Sequence, residues 1–281
     1  MPEAMAGILH LPVRRRLSNR RATLACVVLA AVVLVGIVAC GMALQQQAMQ
    51  TDLAQKNLPP SLAHPFGTDQ MGRDMLVRTA AGLATSILVG LVAACASSLI
   101  ALVLGAVAAL GGRAADRAVT WLIDLVMGVP HTVLVILISF ACGRGLKGLL
   151  AGIALTHWTG LARLIRAEVL QLRSQPYIAV SRRLGKSSGW ILTRHLLPHL
   201  VPQFFVGLIL MFPHAILHEA SISFLGYGLP PEQPAIGIIL AESMKYLSVG
   251  MWWLAVCPGL LLVAVVLLID RLGENLRRIV D

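Results

Sequence analysis

Charge is what this sequence has least of. Only 13% of its 281 residues are Asp, Glu, Lys or Arg, whereas 57% are hydrophobic, and the mean hydropathy is +0.80. A soluble globule of this length cannot cover its surface with so few charges, which excludes a soluble enzyme or binding module and makes the chain an integral membrane protein. Acidic residues are scarcer still: 13 stand against 23 Lys and Arg, for a formal net charge of +10. A basic excess also occurs in nucleic-acid binders. Here the cations gather between apolar runs, a topological pattern that needs no polyanion, so nucleic acid is not expected as a partner.

Other absences narrow the chemistry. The five cysteines, Cys26, Cys40, Cys95, Cys142 and Cys257, lie in or at the ends of apolar runs without a CxxC or Cys/His zinc spacing. They read as small hydrophobes, and no disulfide framework or metal site is assigned. Neither GxxxxGK[ST] nor any Gly-rich loop after a strand-like run occurs, so the chain has no P-loop for nucleotide. If transport is ATP-driven, ATP and Mg belong to another polypeptide, and this chain is a non-catalytic subunit with no cofactor of its own. No repeat or linker divides the sequence. The expectation is a cytoplasmic basic tail over residues 1–21 and one transmembrane domain over 22–281.

What is present is a series of long apolar runs. Ala22 to Leu44 has 23 uncharged residues behind Arg14, Arg15, Arg16, Arg20 and Arg21. That run is too long for a signal-peptide core and long enough to cross about 30 Å of hydrocarbon. Further spans are expected at Thr79 to Gly112, Ala118 to Cys142, Gly148 to about Gln171, His199 to Ile216 and Tyr246 to Ile269. Asp124 and Pro130 interrupt the third, where the charge is read as interfacial. Pro202 and Pro213 predict a broken fifth helix, its freed backbone turned to protein or a cavity. Residues 45–78 and Glu219 to Met244 are placed outside. With six spans and both termini inside, six of the 23 cations, Lys56, Arg73, Arg78, Arg144, Lys147 and Lys245, fall outside and the other 17 inside, which satisfies the positive-inside rule.

A basic polar interruption runs from Pro176 to Pro198, PYIAVSRRLGKSSGWILTRHLLP. Seven cations and one anion between residues 163 and 195 make it cytoplasmic. Gly185 separates two helix-compatible runs, Tyr177 to Leu184 and Gly189 to Leu197, so a pair of short helices bent at Gly185 is expected. Gly185, nine further residues, then His195, Leu196, Leu197 and Pro198 resemble the cytoplasmic coupling loop of ATP-binding-cassette importer permeases. Tyr177, Arg182, Leu184 and Arg194 belong to the same match, which is to the branch carrying dipeptides, oligopeptides or nickel, and the resemblance implies an ATPase-docking loop that includes Ser181. The family's Glu-Ala-Ala is replaced by Ala179-Val180-Ser181. Gly67, Thr68, Asp69, Gly72, Arg73 and Asp74 resemble that branch's GTDxxGRD signature, and Glu219-Ala220-Ser221 to Phe224-Leu225-Gly226 resembles another of its signatures.

The resemblance implies an all-α membrane protein with a type I ABC importer permease fold: a periplasmic loop at 45–78, a core at about 80–275 and a coupling loop at about 173–197. It also implies a multi-pass protein of the bacterial inner membrane that works by alternating access on peptides, nickel or metal chelates. Its partners would be a homologous second permease, two ATP-binding subunits, an extracytoplasmic binding protein and the lipid membrane. A secondary transporter or channel would need charges deep in several spans, and almost none are there. An ATP-independent scaffold is the other rival, and it would not respond to a partner ATPase. For the translocation path the candidates are His214, His218 and Glu219. His214 and His218 share one helix face, and neutral imidazoles suit nickel, copper or zinc. Two imidazoles do not define a metal site, and either could hydrogen-bond a carbonyl freed by Pro213. Residue pattern alone leaves both readings open.

Overall fold

The computed structural model describes residues 13–280. The first helix, α1 (Val13–Ala43), begins inside the stretch read as a tail, whose residues 1–12 lie outside those described. A loop and two short 3-10 turns lead to α2 (Met75–Leu110). Then come α3 (Gly112–Met127), α4 (His131–Ala141), α5 (Leu146–Arg173), α6 (Pro176–Arg183) and α7 (Ser188–Ile191), followed by α8 (Leu197–Phe224), α9 (Ile236–Met244) and α10 (Trp253–Val280). Among the described residues, strand pairing is limited to one isolated bridge, Thr68 with Asp74.

Five helical segments are long and apolar enough to cross a membrane, and the α3–α4 pair makes six if it counts as one span. At 36 residues, α2 is about 54 Å long, well beyond the ~30 Å hydrocarbon core, and the bundle forms around it. It packs against α1, α5 and α8. Small residues make these approaches possible: a Cβ built on Gly105 would stand 2.7 Å from the Ala162 carbonyl oxygen on α5. Large apolar side chains on the periphery stay exposed, such as Leu29 at 65%, Val35 at 69% and Leu260 at 65%, as acyl chains permit and water would penalise.

Two apolar cores stack along the bundle. One gathers Met75, Leu83, Ile216, Ile222, Ile236 and Leu254 at the end where α2 begins. The other gathers Ala108, Ile123, Leu161 and Ile165 at its far end, together with Ile178, Ile191 and Leu196 from the short helices after α5. Ion pairs tie the second end together. Arg166 holds Asp116 with two bonds of 2.5 and 2.7 Å, and Arg173 donates to the Ala109 carbonyl at the end of α2. Asp124, read as interfacial, is exposed and meets Arg163 at 2.7 Å.

Several boundaries differ from the expectations. The third span is not straight, because α3 and α4 are bent by 98° across Gly128, Val129 and Pro130. Proline lacks the N–H that would continue α3 and disfavours helical backbone in the residue before it. Conversely, α8 is not broken: it continues through Pro202 and Pro213 to Phe224, so the expected end at Ile216 is eight residues short. Packing on both sides of Pro213, itself buried, outweighs one lost backbone bond. The stretch expected outside holds α9, whose Ile236, Gly237, Ile238 and Ile239 are buried. Arg78 lies within α2 and not in the loop before it.

Candidate functional site

Three regions hold the residues singled out in the sequence, and the loop before α2 is the most tightly bonded. Asp69 accepts from the backbone N–H groups of Met71 and Arg73, at 2.8 and 3.0 Å. It also accepts from Arg73 Nε at 2.6 Å and from Arg78 at 3.1 Å. Both arginines reach Glu242 of α9, at 3.4 and 2.7 Å. Asp74 caps α2 through the N–H groups of Leu76 and Val77 and meets His64 Nδ1 at 2.7 Å. Thr68, fully buried, accepts from Leu58 N–H at 2.8 Å. Gly72 has φ +73, and a Cβ there would run into the carbonyl of Asp52, so only glycine fits. Gly67, Thr68, Asp69, Gly72, Arg73 and Asp74 therefore form a knot that seats the start of α2. Their polar groups bond to one another and to the neighbouring loop and α9, which is the behaviour of a scaffold.

The second region is the link from α5 to α8. Pro176 opens α6 at a position where its missing N–H is harmless. Gly185 takes φ +76 between α6 and α7, as a turn of this kind requires. The expected two helices are there, but the second does not stop at Leu197: α7 passes through a π-helical turn, Leu192–Leu196, straight into α8. Pro198, without an N–H, sits in the first turn of α8 immediately after that wider turn. Ile178, Ile191 and Leu196 are buried in the second core, which gives the link a fixed outer face. On that face Tyr177, Val180, Leu184 and Leu197 are exposed, Leu184 at 72%, alongside exposed Arg182 and Arg194. His195 holds the two helices together, with Nε2 3.2 Å from Ser181 Oγ and its ring 5.4 and 5.1 Å from those of Tyr177 and Trp190.

The third region is a cavity of about 570 Å³ at the α3–α4 bend. Met127, Gly128, Val129 and Pro130 form one wall, Thr156, His157 and Thr159 of α5 another, and Met211, His214 and His218 of α8 a third. His214 and His218 thus share a wall, as their spacing predicts. Glu219, the third candidate for the path, does not line it. That side chain is fully buried, accepts from Ser223 Oγ at 2.8 Å, and belongs to the packing of α8. The cavity brings in two histidines that sequence reasoning did not select. His131 stands at the start of α4 and His157 midway along α5. Both rings contact that of His218, at centroid distances of 4.6 and 4.7 Å. A faint signal existed in the sequence: an unusual His-Trp pair inside one apolar run and a His directly after Pro130.

Comparison with known proteins is consistent with these features. The family model described as binding-protein-dependent transport system inner membrane component matches residues 101–280. A protein of Brucella suis biovar 1 named as a peptide transport system permease is 36% identical over 79% of this chain and 75% of its own length. The dipeptide transport system permease protein DppC of Bacillus subtilis is 32% identical over 80% of this chain and 70% of its own. Among solved structures, a chain of the MetNI methionine ABC transporter in an inward-facing conformation superposes with a TM-score of 0.60 at 18% identity. That match covers 74% of this chain and 98% of the other and shows a shared fold.

Proposed function

Because the chain belongs to the binding-protein-dependent transport system inner membrane component family, we propose that it lines half of a path through which peptides or metal chelates enter the cell by alternating access. The chain is the permease subunit of an ABC importer and a multi-pass protein of the inner membrane. In this reading a second, homologous permease supplies the other half of the path. Two ATP-binding subunits carry ATP and Mg, and an extracytoplasmic protein delivers the solute. The chain itself makes and breaks no covalent bond.

The observation that carries the reading is the linker between α5 and α8. Exposed apolar side chains are ordinary where lipid covers them, but a basic linker of this kind belongs in water. There an outward set of Tyr177, Val180, Leu184 and Leu197 is a docking surface. Its underside is part of the second core, so a push on α6 is transmitted to α5 and α8 and can shift the bundle between two arrangements. The test is copurification of the permease with its ATP-binding subunits and stimulation of ATP hydrolysis by the loaded binding protein. A permease that assembles with no ATPase would overturn this reading in favour of a scaffold or secondary transporter.

Orientation has its own check. Ser61 lies in the loop before α2 and Ser187 just before α7, and both are exposed. With the five native cysteines replaced, a membrane-impermeant thiol reagent should label Ser61→Cys in intact cells and leave Ser187→Cys unlabelled until the cells are opened. Labelling of Ser187→Cys in intact cells would invert the topology.

The cavity yields a further expectation. If the solute is a metal or metal chelate, His214→Ala combined with His218→Ala should reduce uptake by roughly tenfold or more without loss of assembly, the scale seen when metal-site groups are removed. If it is a peptide, the loss should be mild and independent of metal. Normal uptake of both solute classes by a well-assembled double variant would leave the two side chains as packing groups.

A further inference from the structure

His131, His157 and His218 come from three different helices and meet at one point on the cavity wall. Their rings stand edge to face, with centroids 4.4, 4.6 and 4.7 Å apart, and one ring nitrogen from each lies within 4.8 Å of the other two. His157 Nδ1 is 3.1 Å from the carbonyl oxygen of Ile153. A carbonyl only accepts, so Nδ1 carries the proton and Nε2 keeps a lone pair. That Nε2 is buried without a hydrogen-bond partner, and so is Nε2 of His131. Buried polar atoms of packing residues are normally satisfied, and two such atoms in one histidine cluster call for an occupant.

We propose that His131, His157 and His218 form a three-imidazole site for a late first-row divalent cation such as nickel, cobalt, copper or zinc. The chemistry of the donors selects this class. Neutral imidazole suits these ions, whereas magnesium and calcium require oxygen ligands. The one backbone bond that fixes His157 is also the outer contact that orients metal-bound histidines. Nitrogen ligands at about 2.0–2.1 Å stand roughly 3.4 Å from one another around a tetrahedral ion, so modest ring rotations close the triangle. Three protein ligands leave coordination positions open, and the cavity has room for what fills them: water on a bare ion, or the donor atoms of a chelate. Because the ligands sit on α4, α5 and α8, relative motion of these helices takes the site apart. Capture in one arrangement and release in the other follow directly. The proposal rests on the reading of the chain as an importer permease and narrows its solute to metal-containing ones.

The test uses the intact transporter complex, purified without a polyhistidine tag and titrated with Co²⁺ while its visible d–d absorption is followed. One ion per copy of this chain is expected. His131→Gln, His157→Gln and His218→Gln should each weaken binding by about tenfold or more, and His199→Ala, on the exposed start of α8, should leave it unchanged. Glutamine preserves bulk and polarity, and elution and melting of each variant complex establish that it is folded. Co²⁺ presaturated with free histidine decides the source of the ion: an altered spectrum means that a chelate binds with its ligands, and the bare-ion spectrum means that the ion alone binds. A wild-type spectrum no different from that of aqueous Co²⁺, or equal binding in all the variants, overturns the site. ATP hydrolysis stimulated by the binding protein is measured on the same samples. Its persistence without metal binding leaves the permease reading standing and removes only this proposal.

Discussion

Arg78→Ala should sharply reduce the amount of folded permease recovered from membranes and lower the melting temperature of what remains. Arg78 is 2% exposed and bonds both Asp69 and Glu242. With Arg73 it makes two cations facing two anions, a balanced set. Removing one cation leaves Arg73 alone between Asp69, which is also 2% exposed, and Glu242, which loses the shorter of its two bonds, so one negative charge of the set goes uncompensated. Breaking a buried ion pair from one side costs on the order of 3–5 kcal/mol, a large fraction of the stability of most domains. The network also joins the α1–α2 loop to α9, so both should loosen together. Arg78→Lys keeps the charge but not the two-pronged geometry and should fall between wild type and alanine. Yield and melting temperature of Arg78→Ala equal to wild type would show that the network is dispensable.

Gly185→Val should abolish transport while leaving the membrane bundle assembled. At φ +76, a β-branched residue pays about 1–2 kcal/mol or more against the left-handed backbone, and the turn between α6 and α7 relaxes by changing shape. No atom of this chain comes within 4 Å of a Cβ at this position, so within the subunit the effect is one of backbone conformation. That isolates a decisive control. Asn tolerates the left-handed region, so Gly185→Asn should retain most uptake. ATP hydrolysis stimulated by the binding protein, measured beside uptake, reports whether docking or only transmission is lost. Equal uptake by the Val and Asn variants would remove the turn geometry from the mechanism.

The legible parts of this protein are those decided locally or by the membrane. Hydrocarbon accepts only runs whose backbone is satisfied within themselves, so five of the long helices could be located from composition. Gly185 was legible because a left-handed turn leaves few alternatives to glycine. The GTDxxGRD loop was legible as a pattern but not as an object. That Asp69 would collect two backbone N–H groups and two arginines, with Glu242 more than 160 residues away, depends on α9 folding back against α2, and no periodicity reports that.

Proline was where local reasoning misled. Pro130 and Pro213 carry the same local penalty, yet the chain bends by 98° at one and runs straight through the other. The difference is what surrounds them: Pro213 is buried within a packed helix, whereas Pro130 follows Gly128 at the edge of a cavity. The bend in turn sets His131 beside His157 and His218, three residues that sequence spacing gives no reason to join. The sequence by itself determined that this is a helical membrane protein, because that follows from transfer of single segments between water and lipid. Only the tertiary structure decided which buried charges pair and which histidines converge, because those are contacts between segments, and their energies exist only once the helices have packed.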